Sequence, residues 1–325
     1  PPSNFATGIQ HPFAIQSLIL WSGQNGVGFD SSYRHKNENR APVTFITTID
    51  DNAHMIPGPV FVSGDATAET LTTFLVEVKQ LVEKMADQLV NKSIQVDISL
   101  EKFKKRLLQE AGKIIKSKSG WFPQFFMIDK SRAERLAIQN VFPTSLIRLC
   151  QFHVMQAILR WDKEVGNSFE PQVRPRLSLE RKHLLLRAVR HLQRCRFEDK
   201  WDKAAEEFVE SVRRICIGSA TSAETIIRYF EANWFIPEWK ALWTDIGLPA
   251  GILWEKMLST NNWTERAFKT FDQIFLASRA NKSAYRLVLI IANQWFNYYR
   301  EWRSEQPRFN REEFEKDNQA YEIWS

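Results

Sequence analysis

At 325 residues the chain suits one large domain or two, and a hydrophobic fraction of 44%, with 12 Trp and 23 Phe, is enough for a substantial core. A net charge of +6 permits a nucleic-acid partner without requiring one. Three cysteines without regular spacing, Cys150, Cys195 and Cys216, argue against a disulfide framework and a zinc ribbon, and fit a reducing compartment.

In chain order, the apolar run FAIQSLILW (13–21) is too short to cross a bilayer and contains Gln16 and Ser17. No basic stretch precedes it, so neither a membrane association nor a signal peptide is expected. The chain opens on Pro1 rather than Met, and residues 1–24 are read as a truncated lead-in. Three strands follow: GVGFDSSY (26–33), the β-branched APVTFITTID (41–50), and GPVFVSGD (58–65) after Pro57. Polar, turn-forming stretches between them predict an antiparallel meander. From about Ala66, Leu71, Phe74, Leu75, Val78, Leu81 and Val82 recur at helical spacing.

Lysine-rich residues 91–119 contain a further amphipathic, peripheral helix, and WFPQFFMI (121–128) reads as a fourth strand. Ser131 and Glu134 have capping-box spacing and predict the start of the next helix. SLIRLCQF (145–152) reads as a fifth strand. After His153 the strand signal vanishes, and about a hundred residues carry helical periodicity alone. Two last helices are expected near Asn262 and near Ser283. The pattern predicts a mixed α/β sheet of five strands flanked by helices, with an all-helical insertion. It also predicts that the first and fourth strands lie side by side and parallel, bringing Asp30 and Asp129 across one gap.

The segment FMIDKSRAERLAIQNVFPTSLIRLCQFHVMQAILRW closely resembles the core of Mutator-like element (MULE) transposases. It has an Asp ending a strand (Asp129), a helix, an FP turn (Phe142, Pro143), and a C-x-x-H pair (Cys150, His153) opening another helix. GFDSSYRHKNENRAPVTFITTID upstream resembles the first catalytic strand and its successor, and TNNWTERAFKTF (260–271) resembles the segment carrying a third acid.

The resemblance implies an RNase H-like fold and a DDE triad, Asp30, Asp129 and Glu265. On this reading the RNase H-like core spans 25–155, the helical insertion 156–258, and helices completing the core 259–325. It further implies Mg²⁺ or Mn²⁺ held by the three acids in a two-metal site, DNA as partner, a nuclear location and a homo-oligomer. A domesticated descendant that binds DNA or regulates without catalysis is the alternative. No SWIM-type zinc motif follows position 280 and no zinc finger precedes position 25, which departs from the family pattern.

Each of these residues also has a plainer explanation. Asp50, Asp51 and Asp65 end apolar runs like Asp30 does, and any such residue can be a turn former. Asn262 and Glu265 have capping-box spacing, so the glutamate also suits a helix N-terminus. Cys150 and His153 supply two ligands where a structural zinc site needs four, which favours a buried Cys beside a hydrogen-bonded His. Residues 171–200 are strongly basic, and Arg187, Arg190 and Arg194 share one helix face suited either to DNA phosphates or to solvent. Trp201, Trp234, Trp239, Trp243 and Trp254 are expected in the core of the helical block.

Overall fold

The computed structural model describes residues 5–32, 36–160, 177–248, 262–279 and 282–305. Compact packing divides the chain into two units, residues 1–147 with 262–325, and residues 148–261.

The first unit is built on a six-stranded mixed sheet flanked by helices, in the order β1-β4-β3-β2-β5-β6. Its strands are β1 (Ala6–Ile9), β2 (Val27–Ser32), β3 (Val43–Ile49), β4 (Met55–Ser63), β5 (Phe125–Ile128) and β6 (Leu146–Leu149), the last straddling the division between units. β1 with β4, β4 with β3 and β3 with β2 pair antiparallel, whereas β2 and β5 pair parallel. The expected parallel neighbours are therefore present. This order and these directions are compatible with an RNase H-like sheet.

The sequence pattern predicts five strands, and the structure adds a sixth, β1, at the edge, leading into helix α1 (Pro12–Asn25). Pro12 occupies the first turn, where its missing N–H costs nothing, and the His11 side chain caps the helix by accepting from Phe13 N. All ten residues from Phe13 to Ser22 are buried. A helix apolar all round has no 3.6-residue stripe to reveal it, and α1 is such a helix. Gln16, the polar interruption in that run, donates to the Gln95 carbonyl and accepts from Asp97 N, so its burial is matched by hydrogen bonds.

The two faces of the sheet are covered by different helices. Phe29 and Phe61 stack on Phe74 of α2 (Ala68–Val90), which in turn packs against α4 (Arg132–Val141). On the opposite face Phe45 lies against Phe268, Phe271 and Trp295, in a core shared with Val43, Val60 and Val62. That layer comes from the end of the unit: α10 (Asn262–Thr270), α11 (Ala284–Ile290) and α12 (Phe296–Glu305), with single π-type turns at Phe271–Phe275 and Ile291–Trp295. Peripheral α3 (Lys104–Lys116) follows a 3₁₀ segment, Ile98–Phe103.

Gly26 fixes how closely β2 and β5 approach. Its φ is +74°, and a Cβ there would sit 2.5 Å from the Phe125 ring. Only glycine allows both the backbone conformation and the close approach.

The second unit contains α5 (Gln151–Arg160), α6 (Leu179–Gln193), α7 (Trp201–Cys216), α8 (Ala223–Asn233) and α9 (Pro237–Trp243). Trp201, Trp234, Trp239 and Trp243 are buried, as a core role requires; Trp254 lies outside the described residues. Arg148 is buried too, donating to the Ala241 and Thr244 carbonyls beside Asp245. Burial pushes its guanidinium pKa down, and Asp245 pushes it back up. No helix among the described residues is long and apolar enough to cross a membrane.

Candidate functional site

The register of the parallel pair decides where two of the acids lie. Val27 is level with Phe126 and Gly28 with Met127; carried two residues further, the same offset sets Asp30 level with Asp129. β5 stops at Ile128, however, while β2 runs on to Ser32. The edge of β2 beyond Asp30 is thus open to other partners, and the Ser31 amide is taken up by a carboxylate.

Ser31 N donates to Asp30 Oδ1 at 2.7 Å. Glu134, in the first turn of α4, has its carboxyl drawn toward the charged form by the amide and hydroxyl of Ser31. The Ser31 hydroxyl and Thr44 Oγ1 are hydrogen-bonded across 2.9 Å. Glu134 is only 3% exposed, and its Oε2 has no hydrogen-bond partner among the described residues. Burial, then the negative fields of Asp30 and Asp129, push its carboxyl well above the ordinary range, against the pull of the Ser31 hydrogen bonds.

Glu134 corrects one expectation from the sequence. Ser131 does cap α4, accepting from Glu134 N at 3.3 Å. The reciprocal half of a capping box is missing, because Ser131 N donates to the Asp129 carbonyl at 2.7 Å. The glutamate side chain turns instead toward Asp30 and Asp129. The spacing S-x-x-E is visible in the sequence, but it cannot show which way the carboxylate faces.

Strand alternation separates the faces on which these groups stand. Ser31 shares a face with Phe29, the side covered by α2 and α4. Asp30 belongs to the opposite face, where its cross-strand neighbour Phe45 stacks on Phe268 of α10 at 4.4 Å. Thr47, opposite Gly28, bonds Thr264 of α10 at 2.7 Å between buried hydroxyls. Thr264 and Phe268, one helical turn apart, therefore lay α10 along the face that carries Asp30. Glu265 follows Thr264 directly and is half-buried. The competing cap reading depends on the Asn262 side chain, which lies outside the described residues.

The rival aspartates have local duties. Asp50 accepts from Asn52 N and His54 N in the turn between β3 and β4, at the far end of the sheet from Asp30. Asp51 pairs with Arg106 at 2.6 Å. Asp65 accepts from the Thr67 amide and hydroxyl at the start of α2. In the second unit, Cys150 is buried as a thiol just before α5, and His153 stands in that helix's first turn. Arg187, Arg190 and Arg194 are all exposed along α6 and its C-cap.

Residues 99–157 match the family model described as the MULE transposase domain. The match supports membership of the MULE transposase family. It points to a transposase-related function, and its span takes in Asp129, Glu134, Cys150 and His153, while Asp30 and Glu265 lie outside it. A search of curated proteins found no match.

The acids of the first unit are of the donor type that a divalent cation takes. They offer only carboxylate oxygens, and one of those oxygens is buried without a hydrogen-bond partner among the described residues. Hard cations such as Mg²⁺ and Mn²⁺ take such oxygen donors.

Proposed function

We propose that this chain is the catalytic core of a DDE transposase, cutting and joining DNA with Mg²⁺ or Mn²⁺. What supports the proposal is the parallel pairing of β2 with β5, whose register, carried past the end of β5, sets Asp30 level with Asp129, with the buried carboxyl of Glu134 in the field of both. On this reading Asp30, Asp129 and Glu265 hold the metal pair. Carboxylates gathered this closely repel one another until a cation neutralises them.

When bound, the cations activate the attacking hydroxyl and stabilise the leaving oxygen of an in-line displacement. The attacker is water in strand cleavage and a DNA 3′-hydroxyl in strand transfer, so no side chain becomes a covalent nucleophile. Asp30 and Asp129 are fixed by neighbouring strand ends, and Glu265 is delivered by α10, which the Thr47–Thr264 and Phe45–Phe268 pairs seat on the sheet. The Arg187, Arg190 and Arg194 face is proposed to track the DNA backbone, and two copies of the chain to hold two DNA ends in the nucleus.

The test uses the full chain with DNA carrying terminal inverted repeats. Cleavage that requires Mg²⁺ or Mn²⁺ and vanishes in Asp129→Ala supports the proposal. Cleavage by Asp129→Ala at the unaltered rate overturns it. DNA binding without any metal-dependent cleavage favours a domesticated, regulatory descendant.

A further inference from the structure

We propose that Lys36 is a positioning residue for the third acid: through Asp272 it fixes how α10 is turned against the sheet, and so where Glu265 stands. This rests on the DDE reading above, in which Glu265 belongs to the triad, and names a residue outside the triad that sets its geometry.

The first support is a buried ion pair. Lys36 follows the end of β2 by four positions and is buried, and its Nζ lies 2.6 Å from Asp272 Oδ1 and 2.5 Å from Oδ2. The same ammonium stands 5.0 Å from the centre of the Phe268 ring, a favourable place for a cation. A buried pair adds little net stability, because the loss of solvent offsets the attraction. What this one supplies is a fixed place for Asp272, held by both carboxylate oxygens.

Helix geometry carries that restraint to Glu265. Asp272 is seven residues beyond Glu265, close to two turns, so the two project on the same side, roughly 10 Å apart along the axis. The Thr47–Thr264 and Phe45–Phe268 contacts already seat α10 on the sheet. Two contacts one turn apart still allow the helix to roll about the line that joins them. The Lys36–Asp272 pair grips the helix beyond that line, on the side of Glu265, and resists the roll.

The connection between β2 and β3 is stiff enough for this task. The Asn37 side chain donates to the Ala41 carbonyl and accepts from the Ala41 amide, each at 2.9 Å. Glu38 N donates to the Lys282 carbonyl at 2.9 Å, just ahead of α11. The strand that carries Asp30 thus leads, within six residues, into the segment that holds the helix carrying Glu265. The first and third acids are tied by one short stretch of chain.

The experiment compares the full, unaltered chain with Lys36→Met, Glu265→Gln and the two combined. It measures metal-dependent DNA cleavage, Mn²⁺ affinity from free Mn²⁺ counted by electron paramagnetic resonance, and thermal unfolding. Methionine keeps the apolar stem of the lysine but cannot hold Asp272. Lys36→Met is expected to lower kcat roughly ten- to a hundredfold, the scale of a misplacement of about 1 Å, with KM for DNA unchanged. Mn²⁺ affinity is expected to fall with it. In the Glu265→Gln background the same substitution is expected to add nothing, because the group it positions is already gone. Lys36→Met with Asp272→Asn strands no charge; it is expected to show the same loss of kcat, and it carries the test if the single variant does not fold. Unchanged kcat in the folded Lys36 variants, or equal losses with and without Glu265, overturns the role of Lys36 alone. Full cleavage by Glu265→Gln overturns the role of the third acid, and this inference with it. If the unaltered chain binds Mn²⁺ without cleaving DNA, the same comparison in Mn²⁺ affinity decides. If it does neither, the DDE reading and this inference fall together.

Discussion

Asp30 and Glu134, 104 positions apart in the chain, meet at Ser31: Asp30 Oδ1 accepts from its amide at 2.7 Å, and the same residue draws the buried Glu134 carboxyl toward its charged form. The relationship arises because β5 ends before β2 does, leaving the last amides of β2 without a strand partner on that side. A strand end that would otherwise need solvent or a further strand holds a carboxylate.

Glu265 separates catalysis from capping. Glu265→Gln is expected to cut metal-dependent DNA cleavage by on the order of a hundredfold or more while the melting temperature barely moves. If the residue only capped α10, Gln, which caps at this position as Glu does, would leave cleavage intact, and Glu265→Ala would lower stability by about 1 kcal/mol without loss of cleavage. Steady-state cleavage rates and a thermal melt on the same preparation distinguish the two.

How much of the molecule is legible in the sequence depends on what kind of information each element needs. β2 to β6 and the helices between them show in alternation, β-branching and helical spacing, and the parallel pairing of β2 with β5 follows from their order. α1 is hidden because burial on all sides erases amphipathic periodicity. Glu134 is visible but reads as a local cap, since a capping motif looks identical whether the glutamate returns to the cap or turns into the site. That direction is set by the early end of β5, a property of two strands distant in sequence.

The hydrogen bond between Thr47 and Thr264 offers a test of how α10 is seated. Both hydroxyls are buried, at 2% and 0% exposure, and satisfy each other. Thr264→Val alone strands the Thr47 hydroxyl and is expected to cost about 1–3 kcal/mol. Thr47→Val with Thr264→Val removes both partners and is expected to recover most of that loss. Urea unfolding of the two single variants and the double variant gives the coupling directly.

The exposed arginines of α6 are expected to act through charge alone. Replacing Arg187, Arg190 and Arg194 together by Gln should weaken DNA binding similarly for all sequences. It should also lower the slope of log affinity against log salt by about 0.9 for each phosphate that is no longer neutralised. Binding titrations at several salt concentrations check this. An unchanged slope would show that the face meets only solvent.

Acid stability has a specific contributor in Asp97. Burial alone would push its carboxyl up, but hydrogen bonds from the Ser99 hydroxyl and amide and from Arg300, with the charge of Arg300, bring it below the ordinary 3.8. A carboxyl lowered on folding adds stability that is complete above the unfolded value and disappears as pH falls through the folded one. Arg300→Gln is therefore expected to lose about 1 kcal/mol near neutrality, a modest figure because Arg300 is partly exposed. The difference should vanish in strong acid, where Asp97 is protonated in both states. Urea unfolding across the acid range measures it.

The bond from Thr47 to Thr264 spans 217 positions, and the chain between includes the whole second unit. During synthesis from the N-terminus, the sheet with Asp30, Asp129 and Glu134 exists long before the layer that covers Phe45, Val43, Val60 and Val62 leaves the ribosome. For that interval the apolar face is covered from its own half of the chain only in part, by the region of Ile9 and Ala14. Long-range closure of this kind is slow, and exposed sheet faces aggregate. A nascent chain interrupted within the helical unit would present that sticky face with its acids but lack the last element of the proposed triad.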